Sequence, residues 1–389
     1  MNSDQYLYYQ VGDYKTINKL LAVEAAGGDM NRVHFYFADD EHRQHNWTLE
    51  PEESIHALID RRVRDLREQH QYLALWYSAG YDSHTILDSI LRTNTRLDEI
   101  LIYSRPYIDT SDNFEHLIAL KQAYHIKTHL QPWLKIRQVE YDQDTTFKFY
   151  QEYGADWIYH GPGNFHNFTK TSRYNTARYH KDLIGLDQIV GRCDITGVEK
   201  PRVNLRDGKW YAQMPDSALY HHLGGPRHLF YLCPEATRLY IKQVWMSIAW
   251  MESHPECSHD FVHEVQGKPT NRGLRERGDL YANWNKSFGR SNVFDAVAAS
   301  GFNKYYYDTK SENGVGSTTN HDSAVLKDLA EKTNSKIYNH WVQGLQYLTN
   351  NHAEIWNPIT GFNTCMSSAI YIKDFTPHST RINCGDCPG

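Results

Sequence analysis

The run Tyr72-Leu73-Ala74-Leu75-Trp76-Tyr77-Ser78-Ala79-Gly80-Tyr81-Asp82-Ser83-His84 decides how this chain is read. Tyr72 to Tyr77 is a short apolar stretch of the length expected for a buried parallel strand. It stops at the small residues Ser78, Ala79 and Gly80, and His84 to Leu91 then reads as a helix. A strand that ends in a small-residue turn and feeds a helix aims backbone N–H groups, and the positive end of the helix dipole, at one spot. That spot suits a phosphate. Ser78 and Ser83 can donate hydroxyl hydrogen bonds to the same anion. Gly80 lets the main chain approach it, and Asp82 can hold a divalent cation directly or through water.

Working outward, apolar residues at Ile55, Leu58, Ile59, Val63 and Leu66 recur at intervals of three and four, which predicts an amphipathic helix within Glu50 to Gln69. Downstream, Glu99 to Tyr103 reads as a second strand, Asp112 to Tyr124 as a helix, and the stretch around Thr128 to Leu130 as a third strand. This alternation predicts an α/β fold built on a doubly wound parallel sheet. A fourth apolar run, Asp156 to His160, reads as a strand feeding the Gly161-Pro162-Gly163 loop, and Arg206-Asp207-Gly208-Lys209 lies between β-rich flanks as a hairpin turn. Pro234 to Met251 is a strong helix pattern. The sequence beyond Ser253 turns polar, with helices near Asp322–Asn334 and Ile337–Leu348, and is read as an accessory helical C-terminal region. The expected organisation is a lead-in over 1–48 that includes a strand at Val33 to Phe37, the sheet domain over 49–252, and the accessory region over 253–389.

The passage Ser78-Ala79-Gly80-Tyr81-Asp82-Ser83 resembles the SGGxDS signature of the PP-loop ATP pyrophosphatases, a HUP-like superfamily that includes the synthetase domain of asparagine synthetase, GMP synthetase and QueC-type enzymes. The resemblance covers the loop with its flanking strand and helix. Ala79 departs from it, standing where the family usually has Gly, and a Cβ there would conflict with a positive φ. No Walker A sequence occurs. What the resemblance implies is an AMP-forming ligase: a substrate oxygen attacks the α-phosphorus of ATP, Mg2+ and basic groups stabilise departing pyrophosphate, and an amine displaces AMP. It implies ATP contacts from Ser78, Ala79, Gly80, Tyr81, Asp82 and Ser83, with Ser104 and Arg105 at the nucleoside. Glu115 and Ala119 match the family's following helix, which equally reads as ordinary helix chemistry. The family's amidotransferase members carry a Cys after the start Met; here that residue is Asn2.

The stretch Gly191 to Arg202 reads as a loop with Gly near both ends. Asp194 or Glu199 could serve the metal there, and Lys200 and Arg202 the charge developing on phosphate oxygens. The same stretch also reads as a plain surface turn before the hairpin. Asp82, Lys200 and Arg202 are the candidate catalytic residues, and Asp82 and Asp194 the candidate metal ligands. Two further groups have zinc-ligand chemistry: His254, Cys257, His259 and His263, and the terminal Cys384 and Cys387 with Cys365 and His378. With 22 histidines in the chain, such clusters also arise by coincidence. A nucleotide-binding or assembly protein without turnover, and a sulfurtransferase using Cys384 and Cys387, stand as alternatives.

Composition narrows the field. The net charge of −6 and the dispersal of Lys and Arg argue against broad binding to duplex nucleic acid. The basic run Arg61 to Arg67 has helical spacing and reads as a solvated helix face. No leader-type apolar segment follows the start Met and no stretch has the apolar length of a membrane span, so a soluble cytoplasmic protein is expected. Six cysteines scattered over 389 residues fit a reducing compartment.

Overall fold

The computed structural model describes residues 7–104, 114–140, 142–161, 168, 179–197, 201–221, 227–267, 318–357, 361–362 and 365–376. The chain opens with β1 (Leu7–Val11), β2 (Tyr14–Thr16), α1 (Lys19–Ala25), β3 (His34–Phe37) and α2 (Asp39–His42). These three strands form an antiparallel sheet in the order β2-β1-β3. After it come α3 (Ile55–Gln69), β4 (Tyr72–Trp76), α4 (Tyr81–Arg92), β5 (Glu99–Ser104), α5 (Phe114–His129) and β6 (Lys135–Glu140). Further on lie α6 (Gln143–Tyr153), a 3-10 turn (Gly154–Tyr159), β7 (Arg192–Thr196), the hairpin β8 (Arg202–Arg206) and β9 (Lys209–Gln213), and β10 (Arg227–Leu229). The last described elements are α7 (Thr237–Glu252), α8 (His259–Gly267), α9 (Thr318–Thr333), α10 (Ser335–Asn351), β11 (Trp356–Asn357), β12 (Gly361–Phe362) and β13 (Ile370–Asp374).

The centre is an all-parallel five-stranded sheet in the order β10-β7-β4-β5-β6. The chain runs outward from β4 through β5 to β6, then returns to the other side of β4 at β7. This order fits a doubly wound α/β fold, with its topological switch between β4 and β7. One face of the sheet presents Leu73, Leu75, Ile100, Ile102, Cys193 and Ile195, which join the main core with Leu58, Ile59, Val63, Leu87, Ile90, Ile118 and Val244 of the helices. The other face is unusually polar for a parallel sheet. Arg192, with no side-chain exposure, lies 2.8 Å from Glu99 on β5 and 2.7 Å from Asp194 on its own strand. Arg137 of β6 donates to the same Glu99 at 2.6 Å. Leu183 and Leu186, on the return path from β6 to β7, help to cover this face beside Ala74, Leu101 and Val139.

Three sequence expectations are corrected. Thr128 to Leu130 is not a strand: α5 continues through His129, and the third strand of the sheet is Lys135–Glu140, whose charged pattern conceals it. Asp156 to His160 is not a strand either. It lies in and just after the 3-10 turn, which buries Trp157 and Ile158, and α10 comes so close that a methyl on Gly344 would overlap the Trp157 ring. The supposed loop from Gly191 contains β7, a strand hydrogen-bonded on both sides. The hairpin forms as its turn residues require, with Asp207 and Gly208 at φ 49° and 68°. Its outer partner is β13, from near the chain's end.

His42 joins the first sheet to the rest of the molecule. It is buried, its Nδ1 lies 3.0 Å from Thr237 Oγ1 on α7, and its ring stacks on Phe37. Burial pulls its pKa from the ordinary 6.5 down to about 4. As the pH falls, the unfolded chain therefore takes up this proton before the folded one does. Stability contributed at His42 should be complete above the unfolded value and decline towards pH 4, by on the order of 3 kcal/mol. Denaturant titrations of the parent and of His42→Asn across this range should show a shallower pH dependence in the variant; identical slopes would mean that His42 does not stay neutral in the fold.

Candidate functional site

Residues Ser78 to Ser83 connect β4 to α4 at the switch point, where doubly wound sheets leave a crevice beyond the strand ends. Tyr77, the last apolar residue before the turn, is fixed from two sides. Its hydroxyl lies 2.9 Å from His84 Nδ1 on α4 and donates to Gln122 on α5. The chain then turns through Ala79 in the left-handed region, φ 57°, with its methyl buried. Gly80 serves as N-cap of α4 at φ −71°, ψ 161°, and supplies no side-chain acceptor to the first-turn amides. Ser83, buried in the first turn, places its hydroxyl 3.3 Å from that of exposed Ser78 and accepts from Ser78 N at 3.2 Å. Ser78 Oγ also accepts from Gly80 N at 3.3 Å. Two hydroxyls and a helix N-terminus thus share one small turn.

Two residues that sequence reasoning missed hold this turn from the far side of the switch. Gly197 follows β7, and a methyl there would sit 2.9 Å from the Asp82 carbonyl carbon and 3.0 Å from Ser83 N. Only a residue without Cβ lets β7 exit so close to α4. Tyr231, just beyond β10, is buried and donates its hydroxyl to Asp82 O at 2.8 Å. Burial, with Asp82 nearby, pushes its phenol well above the ordinary range, so it stays a neutral donor. Neither could be placed without the strand order. At the neighbouring strand ends, Trp76 and Tyr103 have ring centroids 4.8 Å apart, and the Arg227 guanidinium lies 4.9 Å from the Trp76 ring.

The structure gathers Ser78, Ala79, Gly80, Tyr81, Asp82 and Ser83 in one turn and distributes the other candidates. Ser104 ends β5, half-buried, in register with Glu140. Asp194 lies inside β7 with its carboxylate against Arg192, and burial outweighs the nearby arginines to raise its pKa. It is therefore a sheet-face residue rather than a loop residue. Arg202 begins β8, in register with Gln213. Ala119 is buried in α5. Arg105, Glu199, Lys200, His378, Cys384 and Cys387, and the side chain of Glu115, lie outside the described residues.

The histidine-rich stretch is engaged locally. His254 Nδ1 lies 2.9 Å from Trp250 O, His259 lies 3.2 Å from Asp260, and the rings of His259 and His263 stack. Cys365 is buried, its backbone N–H donating to Asp216 at 3.1 Å. Among the described residues no helix is long and apolar enough to cross a membrane.

Ala79 offers a direct test of the turn. A left-handed φ costs an alanine about 1–2 kcal/mol relative to glycine. Losing the buried methyl costs about 0.8 kcal/mol, and added freedom of the unfolded chain about 0.4–1 kcal/mol. These effects nearly cancel, so Ala79→Gly should change stability by less than about 1 kcal/mol. Ala79→Val puts a β-branched residue at positive φ in a packed site and should destabilise by about 2 kcal/mol or more. Chemical denaturation of both variants checks this; a well-tolerated valine would show that the turn is not left-handed. No family model matches the chain, and no curated protein matches it either.

Proposed function

We propose that the chain is an ATP pyrophosphatase of the PP-loop kind, an AMP-forming ligase that binds ATP with its terminal phosphates against residues 78–83. The observation that carries this reading is the turn itself. A left-handed residue at position 79, a glycine N-cap and two facing serine hydroxyls lie at the N-terminus of α4, beside the switch between β4 and β7. The resemblance of Ser78 to Ser83 to the SGGxDS signature supports it, and the backbone at Ala79 has the sign of φ that a glycine would adopt freely.

In this reading the first-turn amides of α4 with Ser78 and Ser83 hold the β- and γ-phosphates as a unit, which leaves the α-phosphorus open to attack. Gly197 and Tyr231 fix the turn before the substrate arrives, so little reorganisation is required. Asp82, half-buried in the first turn of α4, is the carboxylate suited to a magnesium ion, which when bound would neutralise charge on the phosphates. Trp76 and Tyr103 offer aromatic surface beside Ser104, where a nucleoside would lie. Lys200 and Arg202 are the proposed cations for the leaving pyrophosphate. A nucleotide-binding protein without turnover is the second reading, favoured by Asp194, whose carboxylate faces Arg192 within the sheet.

Calorimetry with Mg-ATP should show binding that inorganic pyrophosphate competes away. Asp82→Ala should lower the magnesium-dependent affinity at least tenfold with the circular dichroism unchanged, and Gly197→Ala should weaken binding by displacing the first turn of α4. Unchanged affinity in Asp82→Ala would reject the site. With an accepted substrate the products should be AMP and pyrophosphate. ADP and orthophosphate would reject the mechanism, and binding without turnover would favour the second reading.

A further inference from the structure

Behind the sheet, on its helix-packed face, three side chains of metal-ligating type converge from separate elements. His70 is the C-cap of α3, Cys193 lies on β7 in register with Leu73, and His228 lies on β10 in register with Ile195. The two imidazoles and the thiol offer ligand atoms that all lie within 4.8 Å of one another. The imidazole rings stand edge to face with centroids 5.0 Å apart. Cys193 is buried and both histidines are half-buried. Among the described residues this is the only such group.

We propose that His70, Cys193 and His228 form a binding site for a borderline-soft divalent cation of the zinc type. One thiolate and two imidazoles are the donor set that selects zinc over magnesium or calcium. Tetrahedral zinc requires ligand atoms roughly 3.3–3.7 Å apart, a small closure from the present arrangement by side-chain rotation. Three protein ligands leave a fourth position for water or for a small ligand entering past the histidines.

The surroundings bear on the charge of the site. Arg62, buried at the same place, donates to Cys233 Sγ at 2.7 Å, and its charge offsets only part of the burial that raises the Cys193 thiol. Glu235 faces Arg62, Cys233 and His228 and offsets part of the positive charge that a bound cation would add. Burial and the nearby Arg62 hold the His70 imidazole below its ordinary pKa. Cysteine binds a metal as the thiolate, so metal uptake at this site should release a proton. The site joins the end of α3, β7 and β10, and its loading should stabilise the sheet on the side of the switch that carries Gly197 and Tyr231.

The test uses the full chain carrying Cys384→Ser and Cys387→Ser, which removes the terminal thiols, stripped with a chelator and titrated with Co2+. Expected are a thiolate-to-cobalt charge-transfer band in the near ultraviolet and visible d–d bands of tetrahedral intensity. Both should be displaced by Zn2+, and Zn2+ should raise the melting temperature. The charge-transfer band should be lost in Cys193→Ser, and cobalt affinity should fall at least tenfold in His70→Ala. A parent without the band, or a band that survives Cys193→Ser, overturns the proposal. If Cys193→Ser does not fold, His70→Ala decides, and unchanged affinity there overturns it as well. ATP binding is not involved in any of these readouts.

Discussion

The buried Arg192 guanidinium is the constraint on which the central sheet depends. It sits on β7, yet its partner Glu99 is on β5, with β4 running between them. One ion pair therefore spans the strand that leads into the Ser78–Ser83 turn, and Arg137 extends the network to β6. Bringing these charges out of water costs several kcal/mol per ion, so the network is a poor source of raw stability. Its effect is on register. A slip of β7 by one residue would turn Arg192 and Asp194 together towards the apolar face and leave Glu99 buried without its β7 partner, which is far more costly than the pair itself. With β7 locked against β4, Gly197 must emerge beside Asp82 and Ser83, and the site geometry follows from sheet register.

A second buried ion pair organises the periphery. Lys19 Nζ on α1 lies 2.5 Å from Asp216, which also accepts from the Tyr9 hydroxyl on β1 at 2.9 Å and from Cys365 N at 3.1 Å. The beginning, middle and late parts of the chain meet on one carboxylate oxygen. Three donors converge on Asp216 Oδ2, and removing any one leaves charge buried with weaker compensation.

How much of this could be read from sequence depended on whether the information was local. The passage from β4 through Ser78 and Gly80 into α4 was legible because an apolar run stops at small residues. The hairpin was legible because Asp207-Gly208 is a turn signal with one meaning. β7 was not, since Arg192 and Asp194 alternate with Cys193 and Ile195, and a charged alternation bracketed by glycines reads as a loop until Glu99 is known to face it. β6, with Lys135, Arg137 and Glu140, was hidden in the same way, and the apolar Trp157 and Ile158 suggested a strand where a 3-10 turn buries them. In the candidate site, residues within the turn were visible. Gly197 and Tyr231 were not, because their role comes from lying next to α4 in space while far from it in sequence. The meeting of His70, Cys193 and His228 was hidden for the same reason.

The three-stranded sheet β13-β9-β8 bears on how the molecule is made. The β8–β9 hairpin is local and can close within microseconds of its synthesis. β9, however, takes its second partner from β13, contributed by residues 370–374 close to the end of the chain. On the ribosome, one edge of β9 must therefore wait, with its backbone groups uncovered, until residues 370–374 have been translated. Completion of this sheet belongs to the slow, non-local class of folding events, and a nascent chain stalled before residue 370 would present that edge to other strands.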